Sequence, residues 1–236
     1  MMIKTLVLPL CALLGGAAYA AGPAAFVSAE QSRVLQILAT PPASASAITQ
    51  KELAELHRIE AARTPGQAEQ AMADDVDESI FIYRKVIGTG FTAQALPLTA
   101  ALSERVKHDE GVNTAPAKKG FARVRPYNLD KTLHPVCKTK TKDDSYPSGH
   151  TTVGYLQALT LIDILPEQRD AVLARADDYA NNRLVCGVHY PSDLAASKVL
   201  AYSIHALMTA NPQYQQEVAA ARLEVHRALG LPLASN

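Results

Sequence analysis

The chain lacks an excess of charge of either sign: 23 Lys and Arg residues face 23 Asp and Glu residues over 236 positions. Binding a nucleic-acid backbone needs a strong basic surplus, so nothing in this balance points to nucleic acid. Long hydrophobic runs are also missing beyond the first twenty residues, so stable membrane insertion is not expected. Val/Ile/Thr alternation over strand lengths is rare, which argues against sheets. There is no internal repeat, no zinc-binding His-Glu-x-x-His and no phosphate-binding Gly-rich Walker loop. What remains is dominated by Ala, Leu, Glu, Gln and Arg, the composition of helices. These features predict an all-α, single-domain helical bundle.

Residues 1–20 read as an export signal. Lys4 supplies the positive start, Leu6 to Ala18 a short apolar core, and Ala18-Tyr19-Ala20 a small-residue cleavage site. Pro9 and Gly15-Gly16 interrupt the run, which is short for a bilayer span. Cys11 follows Leu10, where a lipoprotein site wants a small residue. The expectation is a signal peptide over 1–20, a domain over 21–236, and a periplasmic or secreted location. Cleavage removes Lys4 and leaves one net negative charge. Cysteine is scarce: besides Cys11 there are only Cys137 and Cys186. Two cysteines in an exported chain usually pair, the alternative being two separate buried thiols. A bridge would close a loop of about fifty residues, worth roughly 4 kcal/mol on the loop-entropy model.

Thr49-Gln50-Lys51-Glu52 reads as a capping box opening a helix that Thr64-Pro65-Gly66 closes. Further helices are predicted near 27–38, 67–86, 96–109, 149–164, 167–184, 191–209 and 212–229. From about 111 to 148, Pro116, Gly120, Pro126, Pro135 and Pro147 break the pattern and predict a long polar loop. Such a loop inside a compact domain is functional or disordered. This one carries two of the motifs below, which favours function.

Three segments gather cations and imidazoles. They are Lys118-x6-Arg125-Pro126, then Tyr146-Pro147-Ser148-Gly149-His150, then Arg183-x5-His189-x3-Asp193. A phosphate monoester near neutral pH is close to a dianion, and its transition state spreads charge over three equatorial oxygens. Lys118, Arg125 and Arg183 can meet those oxygens, the two guanidiniums as planar forks. Ser148 and Gly149 precede an apolar helical run, and free N–H groups at a helix start bind anions. Gly149 lets the backbone approach closely, and the Ser148 hydroxyl can add a bond. Pro191 suits the first turn of the next helix, from which Asp193 can reach back to one nitrogen of His189 and leave the other bare as a nucleophile. His150 then takes the opposite task, proton donor to the leaving oxygen, and the two imidazoles hold different protonation states.

K-x6-R-P, P-S-G-H and R-x5-H-x3-D resemble the tripartite signature of the phosphatidic acid phosphatase type 2 superfamily. That group includes vanadium haloperoxidases, membrane lipid phosphatases and soluble class A non-specific acid phosphatases. Ser145 to Thr151 resembles the class A version, and the resemblance covers roughly residues 118 to 193. It implies the superfamily's helical bundle and an acid phosphatase working through a phosphohistidine on His189, with His150 as acid. Two positions depart from the pattern: Asn182 stands where Ser is usual and Asp144 where Gly is usual. Vanadate-dependent haloperoxidase, lipid phosphate phosphatase and an inactive helical binding protein are the alternatives.

Other signals are weaker. Asp74-Asp75-Val76-Asp77-Glu78 could hold Mg²⁺, but acids at a helix start suit the dipole without a metal, so no metal and no cofactor are expected. Lys138, Lys140 and Lys142 read as solvated, or as steering anions to the site. His57, His108, His134, His205 and His226 read as structural. The expected partner is a small phosphomonoester, with homo-oligomerisation left open.

Overall fold

The computed structural model describes residues 24–139 and 141–232, so the export segment, Cys11 and Lys140 lie outside the described residues. Among these residues the fold is all-α, as expected, with no strand. The chain opens with α1 (Ala29–Ser32), α2 (Val34–Ile37), α3 (Ala47–Ala62) and α4 (Pro65–Asp74). A 3-10 turn (Ile80–Tyr83) leads into α5 (Arg84–Ile87) and the long α6 (Pro97–Phe121). After α7 (Pro126–Leu129) come α8 (Gly149–Ile164), a second 3-10 turn (Pro166–Gln168), α9 (Arg169–Val185), α10 (Pro191–Met208) and α11 (Pro212–Leu229).

α8 is the axis of the bundle. Val153, Tyr155, Leu156, Ala158, Leu159, Leu161 and Ile164 are all buried, and its polar Thr151, Thr152, Gln157 and Thr160 are buried too. A helix apolar on every side belongs inside, and α6, α9, α10 and α11 pack around it. The buried amide nitrogen of Gln157 donates to the carbonyls of Glu78 and Ser103 at 3.2 and 2.9 Å, while its Oε1 has no partner among the described residues.

Several element boundaries differ from expectation. The capping box expected at Thr49–Glu52 is absent: Ser46 caps α3 by accepting from the Thr49 N–H, and the Glu52 carboxylate is buried in an ion pair with Arg123. α3 ends at Ala62 with Arg63 as its C-cap, as Thr64-Pro65-Gly66 implies, and Thr64 at once opens α4 in a capping box with Gln67. The segment 27–38 breaks at Arg33, whose φ of 47° is left-handed. The 67–86 segment divides because α4 ends at Asp74 and Ser79 caps a new 3-10 turn.

The largest difference is α6, which runs through Pro116 and claims the first part of the predicted loop. A proline inside a helix loses one N–H bond, but tertiary contacts outweigh that here. The buried Asp109 carboxylate accepts the Phe26 and Val27 N–H groups at 2.9 and 2.7 Å, and Asn113 donates to the Val27 carbonyl at 2.9 Å. Lys118 is therefore presented from a helix. The remaining loop is tied by backbone bonds from Arg125 N–H to the Lys142 carbonyl and from Ser145 N–H to the Arg123 carbonyl. Cys137 and Cys186 are joined in a disulfide, with Cα atoms 5.1 Å apart.

Gly154 permits the contact between α8 and α9: a Cβ there would lie 2.6 Å from Cδ1 of Tyr179. The Tyr179 hydroxyl is fixed on the Asp77 carbonyl at 2.8 Å, so the ring has little room to retreat. Gly154→Ala is expected to lower stability by about 1–3 kcal/mol through overpacking. Urea unfolding at constant m-value checks this; an unchanged midpoint would show that the interface yields without cost.

Candidate active site

Five elements bring the three motifs together. Lys118 comes from the last turns of α6, Arg125 is the N-cap of α7, Gly149 and His150 begin α8, Arg183 lies in the last turn of α9, and His189 precedes α10. All six line one cleft of about 430 Å³. Asp193, in the first turn of α10, stands behind it, completely buried. Ser148 is also fully buried and does not line the cleft; its hydroxyl oxygen caps α8 by accepting the Thr151 N–H at 3.3 Å. A somewhat larger cleft of about 530 Å³ beside α4 contains Arg84, Lys85 and Arg175 but none of the histidines.

The tautomer of His189 follows from its neighbours. Arginine only donates, so Nη1 of Arg125, 2.8 Å from His189 Nε2, requires that nitrogen to be an acceptor. The proton then sits on Nδ1, 3.2 Å from Asp193 Oδ2. Burial, reinforced by the charges of Arg125, Lys118 and Arg183, holds the imidazole pKa well below its usual value. His189 is thus neutral, with a lone pair facing the cations.

Asp193 is gripped by more than the histidine. Arg123 Nη1 donates to Oδ1 at 2.6 Å, while the Ser145 hydroxyl and the Tyr190 N–H donate to Oδ2 at 2.6 and 2.9 Å. Burial still pushes its carboxyl up to about 6, against the pull of Arg123 and Ser145. Arg123 itself is buried, spans Glu52 and Asp193, and lies 3.9 Å above the Tyr190 ring. The sequence reading missed it. The available signal was Arg123-Val124-Arg125: in an extended segment, residues two apart share a face only if the backbone stays straight, and here one arginine serves the cleft and the other the core.

The cations are poised rather than free. Lys118 Nζ donates to the carbonyls of Asp144 and Pro147, each at 2.9 Å, and burial followed by the Arg125 charge lowers its pKa. Arg125 Nε is fixed on Asp144 Oδ1 at 2.8 Å. Burial opposes ionisation of Asp144, but hydrogen bonds from Arg125 and Thr141 outweigh it and bring the carboxyl to about 2. Arg183 Nη2 meets Asp75 Oδ1 at 2.8 Å, whereas its buried Nε has no partner among the described residues. The two departures from the family pattern thus have definite neighbours: Asp144 holds Arg125, and Asn182 donates to Asp74 at 2.8 Å.

The acidic run also differs from expectation. Asp74 ends α4 and Asp75 is its C-cap, the end where helix dipoles disfavour negative charge. Their partners are instead Arg175 and Asn182 for Asp74, and Arg183 for Asp75. Asp75 lies within 4.8 Å of both Cys137 and Cys186, but those sulfurs are bonded to each other and offer no thiolate to a metal.

His150 does not carry the protonation state assigned from sequence. Its Nε2 is 3.1 Å from the Asp75 carbonyl and its Nδ1 3.6 Å from Glu78. Burial and the Arg183 charge bring its pKa down to about 4, despite Glu78. Both imidazoles are therefore neutral near pH 7, first because they are buried and then because cations share the cleft with them. The other histidines behave structurally: His57 faces Asp130, His134 faces Glu60, His205 faces Asp163, His226 faces the Pro232 carbonyl, and His108 is exposed on α6. Lys138 lines the cleft; Lys142 is exposed on the loop.

Residues 95–217, which hold all three motifs, match the PAP2 superfamily. The chain belongs to that superfamily. It is 30% identical over 200 residues to a non-specific acid phosphatase of Providencia stuartii, covering 80% of this chain and 79% of that one. It is 32% identical to an acid phosphatase of Zymomonas mobilis, over 62% of this chain and 56% of the relative. A non-specific acid phosphatase of Salmonella typhimurium is 31% identical over 65% of each chain. The fold is also that of a transmembrane PAP2-type phosphatidylglycerolphosphate phosphatase from Bacillus subtilis. That structure has a TM-score of 0.51 and 18% identity, over 70% of this chain and 86% of that chain. No helix among the described residues of this PAP2 chain is long and apolar enough to cross a membrane.

The buried Glu52–Arg123–Asp193 cluster makes a stability prediction. Arg123→Met should cost about 3–5 kcal/mol, because it strands two buried carboxylates. Chemical denaturation at neutral pH tests this, and a loss below about 1 kcal/mol would mean the carboxylates find other partners.

Proposed function

We propose that this chain is an exported, metal-independent acid phosphatase that hydrolyses small phosphomonoesters through a phosphohistidine on His189. The observation that carries the reading is the unprotonated Nε2 of a neutral His189, which accepts from Arg125, is backed by Asp193 through Nδ1, and faces a cleft lined by Lys118, Arg125 and Arg183. The buried Nε of Arg183, without a partner among the described residues, adds a donor for the phosphate. The N-terminal export pattern and the relatives' names support the same reading.

Substrate phosphate would enter against the Gly149 end of α8 and the three cations. Arg125 would exchange its bond to Nε2 for one to a phosphate oxygen, releasing the lone pair. Nε2 then attacks phosphorus as the ester P–O bond breaks, and His150 gives its proton to the departing oxygen. In the second step His150 takes a proton from water, whose oxygen attacks phosphorus, and the P–N bond breaks to release phosphate. Asp193 stabilises the positive imidazole ring between the steps. Burial and Arg183 keep His150 neutral, but a bound dianion would offset Arg183 and raise its proton affinity. Acidic conditions add to that, so the chemistry suits an acid optimum.

Two tests separate this from its rivals. Because three side-chain cations already balance the phosphate, hydrolysis of p-nitrophenyl phosphate should persist in EDTA; loss restored by Mg²⁺ or Zn²⁺ would overturn metal independence. The same panel should include micellar phosphatidate, and halide oxidation with added vanadate.

The second test distinguishes the histidines. His189→Ala should abolish turnover of every substrate and leave no acid-trapped phosphoenzyme. His150→Ala should cost about 10²- to 10⁴-fold on an alkyl phosphate and clearly less on p-nitrophenyl phosphate, whose leaving phenolate needs little protonation. Equal losses on both substrates, or a phosphoenzyme surviving in His189→Ala, would reverse the assigned roles.

A further inference from the structure

A carboxyl group that the reaction above does not use sits on the wall of the same cleft. Glu110 lies on α6 two turns before Lys118, so Glu110, Thr114 and Lys118 share one face of the helix, and all three line the cleft. The carboxyl presses on the start of α8: a Cβ on Gly149 would be only 2.9 Å from Glu110 Oε1. Its hydrogen bond among the described residues is from the Thr114 hydroxyl, at 2.8 Å to Oε1. Among the described residues no lysine or arginine forms an ion pair with it. Lys107, on the same helix, is committed to Glu78 at 3.0 Å, and Lys118 to two carbonyls.

A phosphate bound at the Gly149 turn would therefore have a carboxyl group beside it with no counter-charge of its own. Ionised, that group repels the phosphate; protonated, it becomes a donor to a phosphate oxygen. We propose that Glu110 sets the pH range over which this cleft admits a phosphate, accepting it with the carboxyl protonated and resisting it with the carboxyl ionised. The inference rests on the phosphatase reading and deepens it, by giving an acidic preference a source in the binding step.

Burial pushes the Glu110 carboxyl above its ordinary value and nearby Glu78 adds to the rise, while Thr114 and Lys118 pull the other way. The remaining charged and titratable groups around it are Glu104, Lys107 and His108 on α6, His150 on α8, Asp75 and Lys138 across the cleft, and Arg125, Arg183 and His189 at its base. The sign is then fixed. As pH rises through the Glu110 titration, phosphate affinity falls; as pH drops, it recovers.

Glu110→Gln is the informative variant. It keeps the length of the side chain and an acceptor for Thr114, and it removes the charge at every pH. The measurement is the competitive inhibition constant of inorganic phosphate against p-nitrophenyl phosphate, between pH 4.5 and 7.5. Titration of phosphate and of the other site groups is common to both proteins, so the wild-type/variant ratio isolates Glu110. That ratio should be near one at the acid end and rise to about tenfold at the neutral end, with the variant binding more tightly, as expected for removal of one nearby like charge. Glu110→Asp, which keeps the charge, should preserve the wild-type pH dependence. A structural role for Glu110 would not tighten binding. A ratio of one throughout, or weaker binding by Glu110→Gln at every pH, overturns the proposal. Wild-type turnover reads the phosphatase assignment separately. If there is none, calorimetric titration of both proteins with phosphate still measures the ratio, and failure of both to bind phosphate would overturn both readings.

Discussion

The site depends on one buried ion pair, Arg123 with Asp193. Asp193 fixes the ring of His189, and Arg123 fixes Asp193, with Glu52 of α3 on the guanidinium's other side. A carboxylate this deep would be costly without compensation. The compensation comes from four donors on two segments: Arg123 and Ser145 from the loop, and Tyr190 and His189 beside α10. Glu52 reaches further by accepting the Ser192 N–H at 2.7 Å, which pins the start of α10 to α3. The same contacts that hold the bundle together therefore set the direction of the His189 lone pair.

Around this pair the cleft balances three cations against carboxylates that hold them without neutralising every donor. Asp144 takes the Nε of Arg125, leaving its Nη1 on His189 and the Val188 carbonyl. Asp75 takes Nη2 of Arg183 and leaves Nε unpartnered. Lys118 spends its bonds on neutral carbonyls, so its charge is not cancelled by those contacts. Burial lowers the proton affinity of both histidines, and this arrangement of cations lowers it further. Preorganised cations of this kind need little rearrangement as charge develops on a transferring phosphoryl group.

Much of this was legible from residues alone because motif chemistry depends on types and spacings. The histidine–aspartate spacing with Pro191 between placed Asp193 in the first turn of α10, and Ser148-Gly149 marked the start of α8. What escaped depended on tertiary contacts. Nothing local says that α6 survives Pro116, since the reason is the clasp of Phe26 and Val27 on Asp109. The Thr49–Glu52 capping box has the right letters, yet Ser46 takes the cap because Glu52 is needed at Arg123. The acidic run after Met72 was read as favouring a helix dipole, whereas its partners are arginines more than a hundred residues away in α9. Glu110 left no motif at all; its significance arises only where α6 meets α8.

The disulfide joins these points to the compartment. Cys186 lies one residue past the end of α9, three residues from Arg183, and its Sγ is 3.6 Å from Arg183 Nη1. The bridge therefore anchors the turn between Arg183 and His189 to the loop that returns to Ser148-Gly149, and the Val136 N–H bond to the Cys186 carbonyl doubles the tie. In the reduced chain, two thiols beside Asp75 and a loop freed from α9 would replace that anchor. Such a bridge persists in an oxidising space and not in the cytosol. The bridge thus accords with the export proposed above, and it ties the turn that carries His189 to the loop that leads to α8.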